Sequence, residues 1–382
     1  MAALGRFLVV FAAAIAAAAS IGKLVPHVPG LAAEFGIALG TAGFLVSAVM
    51  LPGALAGPLF GAAADRSPAR RLVMLGLALQ AAASALAPFA STLHAIVALR
   101  LVEGAGYSLV IVSGTLLVVA VSAARHQALA LATFSAFAPL GFALGQLFAA
   151  RAGWLGIGFG HAAALAVMAA LVLWTLPPGT RPGPPRQRAP LFNALRHAPA
   201  LRTAAAFGCV AGLLLGAVAL APLALAAAAG ISIAAAAQLA ALAALAGIAG
   251  RFASGWLLGR HAPWRVLAVA TALGIACLPA ALAAAAPLGM ALIAYAAFQI
   301  AMGALAGILS AMLPRVAPSG GELGAVTGLT NQLVTLGNLF GPPLTLAVYG
   351  AGGAWASVAL LMGIAAAAAL LVRTVPAYAR SP

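Results

Sequence analysis

Residues 99–109 read LRLVEGAGYSL and place Arg100 and Glu103 three apart in an otherwise apolar run. On a helix that spacing puts both charges on one face, where they can pair. Pairing lowers the large cost of an ionised side chain inside a bilayer, and such residues are functional candidates by default. Protonation of Glu103 would unpair Arg100 and so offers a proton-coupling step. The other reading of the pair is a self-neutralising lock between helix four and a neighbour.

Three further stretches carry polar chemistry. SIGKLVPHVPG (20–30) holds the chain's single lysine, Lys23, with Ser20 and His27 at three- and four-residue spacing, so one face of the first helix is polar. Lys23 can turn into that face as a point charge for a ligand, or snorkel outward past Pro26 and Pro29, which mark the expected outer end of the span. His27 is a second proton-coupling candidate. GRFASGWLLGR (250–260) places Arg251 in the eighth apolar run, either as a bidentate anion contact or as a cap on its own helix. Tyr295 and Gln299, one turn apart, and Asn331, among Thr327, Thr330, Gln332, Thr335 and Asn338, are candidates to orient a polar ligand; the competing role is hydrogen bonding between helices, worth about 0.6 kcal/mol on average in membranes. His94 and His161 show no partner in sequence, and core or interfacial places are expected for them.

Composition fixes the elements that must position these groups. Of 382 residues, 65% are hydrophobic and 6% charged, far below the roughly one-quarter charged content of a soluble domain. Apolar runs long enough to cross a bilayer fall near 6–29, 41–63, 72–90, 94–119, 127–150, 154–176, 201–228, 234–258, 265–285, 288–313, 322–348 and 353–373. An all-α membrane protein of about twelve transmembrane helices is expected. A membrane barrel needs alternating polarity, which runs such as ALAAAAGISIAAAAQLAALAALAGIAG lack. The first run is too long for a signal peptide and is read as a retained helix.

The net charge of +15 follows topology. Lys23, Arg100 and Arg251 lie within runs, and Arg151 alone falls on the outer side. The remaining arginines, among them Arg181, Arg186, Arg188 and Arg380, fall on the other side, which places both termini in the cytoplasm. No basic surface with interleaved aromatics suggests nucleic acid. Cys209 and Cys277 sit in separate runs as small apolar residues, so neither a disulfide nor a metal site is implied, and no cofactor is expected.

A Pro- and Arg-rich stretch at 177–200 separates a six-helix bundle, 1–176, from another, 201–382. At an offset of about 194, Gly61, Arg66 and Arg71 match Gly255, Arg260 and Arg265, each around the loop after the second helix of a half. Two pseudo-symmetric bundles of the same in-out sense form the parallel type of transporter repeat.

That loop, GPLFGAAADRSPARRLVML (57–75), resembles the signature loop of the major facilitator superfamily in Gly57, Gly61, Asp65, Arg66, Arg70 and Arg71, with Pro68 and Ala69 departing from the pattern. LRLVEGAGYSL resembles the same family's fourth-helix motif. FAPLGFALG (137–145) half matches its antiporter motif. The resemblance covers the whole chain and implies the major facilitator fold. A carboxylate at the membrane edge can bond Arg66, Arg70 and Arg71 by charge-assisted hydrogen bonds, which makes Asp65 a conformational latch candidate; the other reading is an ordinary interfacial cluster with topological value only. Lys23 with Arg251 is similar to a pair of cations in the monocarboxylate branch, although Gly247 stands where that branch carries an acid.

The function expected is a secondary transporter working by alternating access, not an enzyme, since four scattered acids supply no catalytic constellation. Three cations within the runs against one acid favour a small organic anion, a carboxylate, with Lys23, Arg100, Arg251, Tyr295, Gln299 and Asn331 as contacts. A proton is the expected coupling ion, and a bacterial inner membrane the expected location. The alternative is a proton-driven exporter of drugs or metabolites.

Overall fold

A computed structural model describes residues 2–149, 151–180, 193–283, 286–319 and 322–379. Arg181, Arg186, Arg188 and Arg380, counted above among inner-side charges, lie outside the described residues, as does the middle half of the linker, 181–192. Among the described residues there is no strand, and eleven helices are long and apolar enough to cross a membrane. They are α1 (Ala3–Phe35), α2 (Ala42–Arg66), α3 (Ala69–Phe89), α4 (Leu93–Val121), α5 (Ala124–Ala149), α6 (Trp154–Thr175), α7 (Ala198–Ala229), α8 (Ala235–Leu257), α9 (Pro263–Leu282), α10 (Leu288–Val316) and α11 (Leu323–Arg373).

The eleventh helix resolves the difference from twelve. Its 51 residues are broken at Gly353, whose φ of 73° and ψ of −166° are open to glycine and closed to other residues. The two expected runs, 322–348 and 353–373, therefore meet end to end without a loop.

Several spans are interrupted, and the interruptions free backbone groups that hydrocarbon cannot satisfy. In α1 the α-helix Ala2–Gly22 gives way to a 3₁₀ turn, Val25–His27, and then to the helix Val28–Phe35. Pro26 and Pro29 do not end the span as expected. Each sits at the start of a new helical turn, where a missing N–H costs nothing. In α2 the helix Leu39–Ala48 stops and restarts at Leu51. In α5 the break falls at Ser135 and Ala136, because Pro139 has no N–H to give the Ser135 carbonyl.

The chain divides into two compact units. One comprises Met1–Gln127, Ala136–Ala194 and Pro318–Gln332; the other comprises Ala128–Ser135, Leu195–Ala317 and Leu333–Pro382. In the first unit α1 packs closely on α5, with the Gly141 Cα facing the Ala18 side chain and Gly145 facing the Ala19 carbonyl. In the second, α8 packs on α10 through Gly247, Gly250, Gly303 and Gly307, where any larger residue would strike the facing backbone or side chain. Cys209 on α7 and Cys277 on α9 are free thiols.

Candidate functional site

Four helices of the first unit converge on the Lys23 ammonium. Lys23 is buried, so it does not snorkel. Its Nζ pairs with Glu103 Oε1 of α4, donates to Ser84 Oγ of α3 at 2.7 Å, and lies 3.1 Å from His161 Nδ1 of α6. Glu103 uses its second oxygen, Oε2, to pair with Arg100 Nη1, the three-residue pairing read from sequence. Lys23, Ser84, Arg100, Glu103 and His161 are all buried.

Arg100 spends its other donors on helix ends. Its Nη1 donates to the Ser20 carbonyl at 2.9 Å, in the last turn before α1 loosens. Its Nε donates to the Leu45 carbonyl at 3.0 Å, and its Nη2 to the Val46 carbonyl at 3.3 Å. These carbonyls end the first segment of α2 and have lost their helical partners. A cation there also meets the negative end of each helix dipole. The interruptions of α1 and α2 and the buried arginine are thus one device, and little of Arg100 is left to grip a ligand.

His27 is not part of this cluster. The 3₁₀ turn breaks the three- and four-residue register that would have aligned it with Ser20 and Lys23. Its ring instead meets Trp154 edge-on, centroids 5.4 Å apart, with Nε2 buried and unpartnered among the described residues. The position sequence reasoning passed over is His161. Its Nε2 lies 2.9 Å from the Ala16 carbonyl, so it is anchored on α1 as well as facing Lys23. A histidine in the middle of an apolar run was the available signal; Ser84, one serine among many small residues, gave none.

Asp65 does not pair with the neighbouring arginines as the latch expectation held. Its Oδ1 accepts from the Gly324 amide at 2.6 Å and its Oδ2 from the Ala325 amide at 2.8 Å. Both amides belong to the first turn of α11, whose N–H groups have no helical partner. A carboxylate at a helix N-terminus is favoured by those donors and by the dipole together. Gly61 and Gly324 make the approach possible: a side chain at Gly61 would meet the Gly324 carbonyl and stand 3.0 Å from the Ala325 Cα. Arg66 and Arg71 are exposed, and Arg70 Nη2 donates at 2.8 Å to the Leu173 carbonyl in the last turn of α6.

In the second unit Arg251 is buried, 9% exposed. Its Nη1 donates to the Gly247 carbonyl at 3.2 Å, and its Nε has no partner among the described residues. The backbone thus takes the place of the acid that would stand at position 247 in the monocarboxylate branch. Gln299 donates to the Tyr295 hydroxyl at 2.8 Å, both buried on α10. Gly247 brings this helix close: a Cβ there would lie 3.0 Å from the Gln299 carbonyl and 3.5 Å from Arg251 Nη1. Asn331, in the first unit, donates to Ser108 Oγ at 3.4 Å. Thr327 and Thr330 bond the carbonyls one turn back in their own helix.

A family model described as Major Facilitator Superfamily matches residues 7–333. No curated protein matches the sequence significantly. Solved structures superpose over nearly the whole chain. The human organic anion transporter MFSD10 (TETRAN) does so with a TM-score of 0.77 at 19% identity, over 97% of this chain and 99% of that one. FucP, a major facilitator transporter in its outward conformation, gives 0.76 at 16% identity over 98% and 99%. The proton:xylose symporter XylE, bound to 6-bromo-6-deoxy-D-glucose, gives 0.78 at 14% identity over 98% and 96%. At these identities the likeness shows the fold. With the family model spanning most of the sequence, the chain belongs to the major facilitator superfamily and is an integral, multi-pass membrane transporter rather than an enzyme.

Proposed function

We propose that the protein is a secondary active transporter of a small organic anion, a carboxylate, working by alternating access with proton coupling. The observation that carries this reading is Arg251, a buried guanidinium with one described hydrogen bond and an unpartnered Nε. A guanidinium presents a fork of donors matched to a carboxylate, and an unpaired buried cation is costly until an anion arrives. Arg251 is therefore the primary anion contact, ahead of Arg100, whose donors are taken up by carbonyls and Glu103. Tyr295 and Gln299 supply neutral hydrogen bonds nearby on α10. The Lys23–Glu103–Arg100 cluster couples the cycle to protons, and Asp65 on the α11 amides is its conformational latch.

In this reading the two six-helix halves, 1–176 and 201–382, are joined by a cytoplasmic linker at 177–200. Both termini are cytoplasmic and the membrane is a bacterial inner membrane. The second reading, a proton-driven exporter of drugs or metabolites, is favoured by the place of the Arg100–Glu103 pair in the fourth-helix motif. It is opposed by that same pair: Glu103 already faces two cations and has no charge to spare for a cationic drug.

The test is uptake of a panel of labelled small carboxylates into proteoliposomes, with and without an inward proton gradient, for wild type and Arg251→Gln. Gradient-stimulated uptake abolished in the variant is expected. No carboxylate uptake under either condition, with binding of lipophilic cations instead, sinks the anion reading and puts the exporter first.

A further inference from the structure

The Lys23 ammonium is surrounded from every helix packed on α1. The α4 helix presents Glu103 and Arg100, α3 presents Ser84, α6 presents His161, α5 presents Gly141 and Gly145, and α2 presents the carbonyls that hold Arg100. An ammonium has three protons, and Glu103, Ser84 and His161 accept all three. His161 can do so in one tautomer only. A carbonyl cannot donate, so the 2.9 Å contact to Ala16 puts the hydrogen on Nε2 and leaves a lone pair on Nδ1. Ser84 is two-way. While it accepts from Lys23, its own hydrogen can go to the Gly158 carbonyl at 3.1 Å or toward His161 Nδ1 at 3.2 Å.

Charge decides where a mobile proton belongs. With Lys23 and Arg100 positive and Glu103 negative, the cluster carries a net charge of +1. A proton added to Glu103 or to His161 raises the buried charge to +2, and in the second case places two cations 3.1 Å apart. A proton removed from Lys23 brings it to zero. Only the last change moves a membrane-embedded cluster toward neutrality.

We infer that Ser84 and His161 are positioning residues that make Lys23 the site where the coupling proton binds and leaves. On release, an Nζ–H bond breaks with its electron pair left on nitrogen, and the proton passes to water. The Ser84 hydroxyl then turns from the Gly158 carbonyl to donate to that pair, while Nζ keeps its bonds to Glu103 and His161 Nδ1. Every polar atom of the cluster is satisfied in both states, which is what a buried proton site requires. The inference rests on the proton-coupled reading for its use in transport.

Lys23 is the only lysine, so 13C-lysine labelling of the full-length protein in nanodiscs yields one side-chain Cε signal, to be titrated with no substrate present. Wild type is expected to show a single transition. Ser84→Ala and His161→Leu each remove an acceptor of a charge-assisted bond and lower its midpoint by about one pH unit, a tenfold loss of proton affinity. Ser84→Thr and His161→Asn, which keep a hydroxyl and an acceptor oxygen, restore it, and His27→Asn leaves it in place. A Lys23 signal that does not titrate in wild type, or a midpoint unmoved by Ser84→Ala and His161→Leu, overturns the inference. So does 15N-histidine labelling of wild type if His161 gains a second hydrogen across the same transition, a readout that needs no variant to fold. Failed carboxylate uptake with this titration pattern intact sinks the anion reading alone.

Discussion

The two buried charge sites of this protein are built on opposite terms. In the first unit Lys23, Arg100 and Glu103 form a closed network in which helix-end carbonyls, a hydroxyl and an imidazole take up the donors of both cations. In the second unit Arg251 has a backbone carbonyl for company and an Nε with no partner among the described residues. A closed network stabilises the fold and resists removal of any member. An open cation adds little to the fold and has affinity to offer a ligand. The same residue type therefore does structural work in one unit and is suited to recognition in the other, and substitutions can test whether that division is real.

The largest effect is expected at Glu103. Glu103→Ala leaves Lys23 and Arg100 buried without a counter-charge, a loss of about 3–5 kcal/mol when a partner is removed from a buried pair. Thermal unfolding of the purified protein should show it as the least stable single variant of the cluster. The double variant Lys23→Met/Glu103→Gln removes one cation with the anion and should recover part of the loss, a coupling that a double-mutant cycle reads directly. Equal stability of the single and double variants would break the description of this site as one network.

Gly61→Ala comes next. The added methyl presses on the Gly324 carbonyl and the Ala325 Cα, and overpacking of this kind costs about 1–3 kcal/mol. It also pushes Asp65 from the amides it caps. Asp65→Asn should cost less, about 0.5–1 kcal/mol, since the amide oxygen still accepts one bond while the interaction of a full charge with the helix N-terminus is lost. Melting temperatures in the order Asp65→Asn above Gly61→Ala are expected; the reverse order would mean that charge, not close approach, holds this contact.

The contrast between the two sites also explains what the sequence disclosed. Apolar run length located the spans among the described residues to within a few residues, save the end of α1, which continues six residues past the expected limit to Phe35, because hydrocarbon thickness imposes a minimum length. The one merger, at Gly353, is a matter of a single backbone angle in a glycine-rich stretch. Arg100 with Glu103 was legible because helical geometry fixes the distance between residues three apart. Lys23 with Ser84, Glu103 and His161 was not, since the partners lie 61, 80 and 138 residues away. The Asp65 contact was misread for a different reason: its partners are backbone amides, which every residue but proline possesses, whereas the adjacent arginines were conspicuous. Arg251 was flagged as a cation, but only the structure shows that a carbonyl of Gly247 stands where a carboxylate could have been.

The smallest stability effect is predicted for Arg251, and it is the sharpest test of the comparison. Arg251→Met keeps most of the side-chain length and apolar stem while removing a buried charge with no ionic partner among the described residues. What is lost is one hydrogen bond to the Gly247 carbonyl, about 1 kcal/mol, and what is gained is relief from burying an unpaired cation. The two oppose each other, so the melting temperature should stay close to wild type while gradient-driven carboxylate uptake disappears. An Arg251→Met protein that unfolds as readily as Glu103→Ala would show that this guanidinium is as deeply committed to the fold as Arg100. The anion contact would then have to be sought elsewhere in the second unit, with Tyr295 and Gln299 the first positions to examine.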